Sequence, residues 1–147
     1  MEYRPIKPEY DATIAAIIRS TLKAHHLDIP GTAYYDTSLD HLSAYYDRPG
    51  RCYYVLLVNE TVIGGIGIAE FDGIADCCEL QKLYLLDSAR GRRIGYEMIR
   101  FIEERAKELQ YRRIYLETHT NLGAAIHEYE KRVIGKLNGR RPSCIRH

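Results

Sequence analysis

The stretch that most constrains the fold is 79-ELQKLYLL-86 running directly into 87-DSARGRRIGYEMI-99. Residues 75–86, with Leu80, Leu83, Leu85 and Leu86, read as a strand. From Ile94 the apolar residues change period: Ile94, Met98, Phe101, Ile102, Ala106 and Leu109 recur at helical spacing, with Glu103, Glu104 and Lys107 opposite. Between strand and helix lies a turn carrying Arg90, Gly91, Arg92, Arg93 and, just inside the helix, Gly95. A helix N-terminus offers free backbone N–H groups and the positive end of the macrodipole, which together attract anions. Gly91 and Gly95 remove Cβ atoms from the approach path. Cations in a first helical turn cost about 0.3–1 kcal/mol each at a surface. Three arginines crowded there predict a compensating polyanion such as a phosphate group; a solvated basic face is the alternative.

The rest of the chain supplies a single mixed domain. Residues 11–23 read as an amphipathic helix with Ile14, Ile17, Ile18 and Leu22 on one side. A loop over 25–36 contains Pro30-Gly31, and Leu39, Leu42 and Tyr46 are in phase for a second helix that Arg48-Pro49-Gly50 breaks. Cys52–Val58 and Thr61–Ala69 read as strands joined by a turn at Asn59-Glu60. Gly64, Gly65 and Gly67 suggest a dinucleotide motif, but Glu70 stands where its last glycine belongs. They are expected to mark a bulge or close backbone packing. Arg113–Thr118 reads as a further strand and 122–134 as a last helix, giving the order α-α-β-β-β-α-β-α and an α/β (α+β) class.

Composition excludes several function classes. A net charge of +1 over 147 residues argues against a nucleic-acid partner. The N-terminus is charged within four residues and lacks an apolar h-region, and no apolar run approaches the roughly 20 residues of a membrane helix, so a cytoplasmic protein without membrane contact is expected. Cys52, Cys77, Cys78 and Cys144 have no paired CxxC spacing, and His25, His26 and His41 form no ligand pattern, so no metal is expected.

The strand 79-ELQKLYLL-86, the turn 90-RGRRIG-95 and the helix after it resemble the GCN5-related N-acetyltransferases, the GNAT superfamily. That family carries [Gln/Arg]-x-x-Gly-x-[Gly/Ala] after its fourth strand; Arg90 and Gly95 match its ends, and Arg93 replaces the usual middle glycine. The segments 115-YLETHTN-121 and 124-AAIHEYEK-131 resemble the family's second block, and the order of elements agrees from about residue 3 to 131. The resemblance implies a mixed, mostly antiparallel sheet with flanking helices, and acetyl-CoA as cosubstrate between two splayed strands. It further implies that the backbone of Leu83, Tyr84 and Leu85 pairs with the acetyl carbonyl and pantetheine amides, and that Arg90, Gly91, Arg92, Arg93, Ile94 and Gly95 hold the pyrophosphate. Asn121 would meet the pantetheine arm. Tyr129 would be the general acid toward the departing thiolate and Glu79 the general base, against a core role for the tyrosine and a water-exposed strand-edge role for the carboxylate. His119 and His127 are further base candidates. The acceptor, a small-molecule or protein amine, would lie against residues 25–46, where Tyr34, Tyr35 and Asp36 stand. A module that binds CoA or a partner with weak or no turnover is the second reading.

The resemblance stops at Lys131. Family members continue Tyr-Glu-Lys-x-Gly-[Phe/Tyr] into two more strands, whereas this chain reads 129-YEKRVIGKLNGRRPSCIRH-147, without an alternating apolar stretch. The expected division is therefore a GNAT domain over 1–131 and an atypical segment over 132–147, with the C-terminal strands missing or altered and an exposed strand edge favouring a homodimer. One lost base would account for it. If Glu130 to Val133 are written GAA AAG CGG GTT and one A is restored, the frame reads Glu-Lys-Ala-Gly-Tyr and can continue as a strand. The nucleotide sequence of the gene tests this: a single inserted base should open a family-like frame beyond Lys131, and its absence would rule out a shifted frame.

Overall fold

The computed structural model describes residues 1–89 and 93–116. They form five strands and three helices: β1 (Glu2–Pro5), α1 (Pro8–Ala24), α2 (Leu42–Tyr45), β2 (Cys52–Val58), β3 (Thr61–Glu70), β4 (Cys77–Leu85), α3 (Ile94–Glu108) and β5 (Arg113–Leu116). The sheet order is β1-β2-β3-β4-β5. The first four strands run as an antiparallel meander, and β5 joins β4 in parallel after the crossover through α3. No described helix is long and apolar enough to cross a membrane. The predicted last helix over 122–134 lies outside the described residues.

Local chemistry accounts for the elements. Pro8 opens α1, where its missing N–H costs nothing, with Glu9 and Asp11 in the first turn and Lys23 in the last. Ile14, Ile17, Ile18 and Leu22 bury the predicted face against one side of the sheet; burying each such side chain contributes about 1.5–3 kcal/mol. Asn59 and Glu60 both take positive φ (50° and 66°), the geometry of a two-residue hairpin whose twist matches the strands. Met98, Ile99, Ile102 and Ala106 of α3 bury against the other face. Leu109, expected on that apolar stripe, lies past the helix end and is exposed, and Ile99 takes the inner position.

Two elements differ from the sequence-based expectation. β1 is too short to have a legible alternation, and it is held as an edge strand by β2, a position where Pro5 is tolerated. The second helix shrinks to one 3-10 turn (Leu39–His41) followed by the single turn of α2, although Leu39, Leu42 and Tyr46 are all buried as their phase implies. What holds this short piece is the buried carboxylate of Asp11, which accepts from the Ser43 N–H at 2.9 Å and its hydroxyl at 2.6 Å, tying α2 to α1.

The glycines of β3 serve close packing, as expected. Gly65 and Gly67 pair with Val55 and Tyr53 of β2. The buried ring of Tyr53 lies across both of them, where any Cβ would collide with it. Its hydroxyl then reaches the Lys82 carbonyl of β4 at 2.7 Å. Gly67→Ala forces the ring or the strand to move and is expected to destabilise the protein by about 1–3 kcal/mol. Urea unfolding would read this as a lower midpoint at unchanged slope; an unchanged midpoint would mean the ring is not confined there.

Candidate functional site

β4 is paired unequally on its two edges. β3 pairs with it from Cys78 to Leu85, whereas β5 pairs only Cys77 to Leu80, with Arg113 to Leu116 as partners. Over Gln81–Leu85 the second edge of β4 therefore has no strand partner among the described residues. Leu83, Tyr84 and Leu85, expected to pair with the cosubstrate, all lie on this stretch. Their side chains alternate: Leu83 and Leu85 pack toward α3, and buried Tyr84 packs toward α1. An extended molecule carrying amide groups can add to such an edge as a strand does.

That edge leads within a few residues to the start of α3. The Leu86 N–H bonds to the Ile63 carbonyl at 2.8 Å, and a 3-10 turn over Asp87–Ala89 carries the chain off the sheet. α3 begins at Ile94, where the helical period of the apolar residues begins. Arg93 is its N-cap, in left-handed conformation (φ 60°) and exposed, so this cation sits just before the first turn and not within it. The first helical bond runs from the Glu97 N–H to the Arg93 carbonyl at 3.2 Å. The N–H groups of Ile94 and Gly95 precede it and have no helical acceptor. A phosphate-bearing ligand on the β4 edge would meet these donors at its anionic end. Arg90, Gly91, Arg92, Asn121, Tyr129, His119 and His127 lie outside the described residues.

Glu79 stands at the last stretch of parallel pairing, opposite Tyr115 and one residue before Leu80. Its half-buried carboxylate accepts from Gln81 Nε2 at 2.7 Å, and Gln81 Oε1 accepts from the Tyr46 hydroxyl at 2.7 Å. Just beyond, β4 bulges. Gly67 pairs with Gln81 but Gly65 with Tyr84, so β4 carries one more residue than β3 there, and Lys82 takes φ 49°. Side chains on a regular strand alternate between faces. Here Gln81 and its neighbour Lys82 both meet the α2 side: Lys82 Nζ lies 3.1 Å from Asp36 Oδ2 and 5.7 Å from the centre of the Tyr45 ring. Burial pushes the Asp36 carboxyl up, but the Ser38 hydroxyl and N–H together with Lys82 outweigh it and hold the group below the usual carboxylate range.

Tyr34, Tyr35 and Asp36, expected against the acceptor, take three different environments. Asp36 faces the β4 bulge, and Tyr34 packs on the core beneath. Tyr35 does not join them: it is 60% exposed. Tyr45 lies beside Lys82 and against Tyr46, with Arg51 stacked 4.5 Å over the Tyr45 ring and bonded through its Nε–Nη2 edge to Glu70 at 2.7 and 3.0 Å. An open cleft of about 520 Å³ beside Tyr46 and Tyr53 extends toward Lys7, Ser43 and Asp47, and neither Glu79 nor Lys82 lines it. Burial pushes the Cys52 thiol up to about 11, so it is no nucleophile at neutral pH. Among the described residues no group of three or more His, Cys, Asp or Glu side chains could hold a metal ion. Gln81, Lys82 and Tyr53 were missed as site residues because their roles follow from the bulge. The sequence signal was a Gln-Lys pair that, with Glu79, interrupts a mostly apolar strand.

Residues 18–133 match the model of the Acetyltransferase (GNAT) family. Over 119 residues, 80% of this chain and 71% of the relative, the sequence is 38% identical to an uncharacterized N-acetyltransferase, YjgM, of Escherichia coli (strain K12). The fold is similar to that of a GNAT-family acetyltransferase from Staphylococcus aureus Mu50, with a TM-score of 0.77 at 20% identity, covering 89% of this chain and 82% of that one. It is also similar to the PaiA N-acetyltransferase of Thermoplasma acidophilum in complex with coenzyme A, with a TM-score of 0.71 at 20% identity, covering 89% and 87%.

Arg93 provides a test of opposite signs. Arg93→Glu places a negative charge at the helix N-terminus, which should leave folding stability equal or raised by about 0.3–1 kcal/mol. The same change should weaken calorimetric binding of coenzyme A about tenfold, if the helix start receives its phosphates. Unchanged affinity would remove Arg93 from the anion site.

Proposed function

Because the chain belongs to the GNAT acetyltransferase family and is an N-acetyltransferase, we propose that it moves an acetyl group from acetyl-CoA to a primary amine by direct attack. The observation that carries this reading is the β4 edge left without a strand partner over Gln81–Leu85 among the described residues. It runs from the Glu79 carboxylate at one end to the start of α3 at the other. Leu83, Tyr84 and Leu85 offer backbone groups to the pantetheine amides and the acetyl carbonyl, and the N–H groups of Ile94 and Gly95, with Arg90, Gly91, Arg92 and Arg93, take the pyrophosphate. Asn121 is assigned to the pantetheine arm. Acetyl-CoA supplies the acetyl group already activated as a thioester.

The chain's own residues then manage two protons. Glu79 accepts one from the acceptor's ammonium group, leaving a nitrogen with a free electron pair. Tyr129 donates the other to the departing sulfur and regains it from the attacking nitrogen as that nitrogen becomes an amide. No covalent acyl-enzyme is required, in keeping with a Cys52 thiol that burial holds protonated. Tyr45, Tyr46 and the Asp36–Lys82 pair border the amine's approach, an aromatic and polar surface suited to a small or side-chain amine.

Release of free coenzyme A, followed with a thiol reagent while mass spectrometry follows the acceptor, tests the proposal. With acetyl-CoA, the purified protein should acetylate at least one of ethylamine, lysine and kanamycin. Tyr129→Phe should lower the rate at least about tenfold while leaving acetyl-CoA affinity unchanged. Thiol release without any acetylated amine, or a Tyr129→Phe variant as fast as the parent, would overturn the assignment concerned.

A further inference from the structure

Gln81 bridges two groups that the sequence keeps far apart. Its Nε2 donates to Glu79 Oε1 and its Oε1 accepts from the Tyr46 hydroxyl, each at 2.7 Å. The direction of this chain is set from its acidic end. A carboxylate only accepts, so the amide NH2 faces Glu79 and the amide oxygen faces Tyr46. Tyr46 must then be the donor, and burial, with the neighbouring Tyr53 and Tyr45 adding to it, keeps its phenol protonated. The ring has little room to turn: it is 4% exposed, edge-on to Tyr45 at 4.8 Å and tilted against Tyr53 at 5.1 Å. Tyr53 in turn is fixed by its own bond to the Lys82 carbonyl at the bulge.

We propose that Gln81, oriented by Tyr46, is a positioning residue for amine deprotonation. By occupying Glu79 Oε1 it selects one rotamer of the carboxylate and leaves Oε2 to meet the acceptor's ammonium group. In that step an N–H bond of the ammonium breaks, an O–H bond forms on Glu79, and the electron pair stays on nitrogen. The proposal rests on Glu79 being the base, as read above. A merely structural Gln81, strapping β4 to α2, would lower stability whether or not Glu79 could accept a proton.

A double-mutant cycle separates these roles, with ethylamine as acceptor because it is too small to depend on the fit of the pocket. Glu79→Gln should lower kcat/KM for ethylamine about 100-fold. Gln81→Met, similar in shape but without the donor, should lower it about tenfold at unchanged acetyl-CoA affinity. In the Glu79→Gln background the Gln81→Met change should cost less than about twofold, since the group it positions is gone. A repeated tenfold loss there, or no loss in the parent, overturns the positioning role. An unaffected Glu79→Gln variant overturns the base assignment itself, and the two failures are told apart by that single mutant. Should Gln81→Met not fold, Tyr46→Phe serves instead: it frees the amide to turn, and its expected loss of about threefold should likewise vanish in the Glu79→Gln background.

Discussion

The unequal pairing of β4 governs the rest of this molecule. Its β3 edge is bonded nearly throughout, which holds the strand in the sheet, while among the described residues its other edge is paired from Cys77 to Leu80. Backbone N–H and C=O groups left without a strand partner call for another acceptor or donor. Along Gln81–Leu85, which has no second strand partner among the described residues, that need arises a few residues from a helix N-terminus. In the proposed pose, a cosubstrate with amides in its arm and phosphates at its end would meet both demands. The arrangement follows from a topology in which β5 must return in parallel through α3, so that the strand and the helix start share one corner.

A second constraint lies under the acceptor side. Tyr53 crosses Gly65 and Gly67 and bonds to Lys82 at the bulge, so the small residues of β3, a buried ring of β2 and the irregularity of β4 form one packed unit. The bulge turns two consecutive polar side chains toward α2. Lys82 fastens the loop bearing Asp36, and Gln81 connects Tyr46 to Glu79. In the proposed reading, the residues that border the amine and the one that deprotonates it share this packed support, which would hold their relative geometry.

Legibility in the sequence followed periodicity. The bounds of β2, the span of α3 and the buried face of α1 could be read because each repeats its pattern over several residues. β1 could not, since four residues at a sheet edge have no period to detect. The single-turn α2 could not either: its phase was right, but its length depends on the Asp11–Ser43 bonds and not on helix propensity. The arginine cluster was legible as a feature, while the placement of Arg93 as a left-handed N-cap was not, because a helix start is fixed by backbone geometry to within a residue or two only in three dimensions.

Legible from the residues alone were the strand–turn–helix with its glycines and arginines, the apolar faces that bury it, and Glu79 as a carboxylate on the strand before that turn. These are local properties, carried by side-chain spacing along one element. The fold alone sets the register of β4 against β5, the bulge of β4 at Lys82, and the joining of Glu79, Gln81 and Tyr46 in one directed chain. Tyr46 and Gln81 are 35 positions apart, and whether they meet depends on strand register. A shift of one residue would send Gln81 to the opposite face, so their meeting is a property of the folded sheet and not of any segment alone.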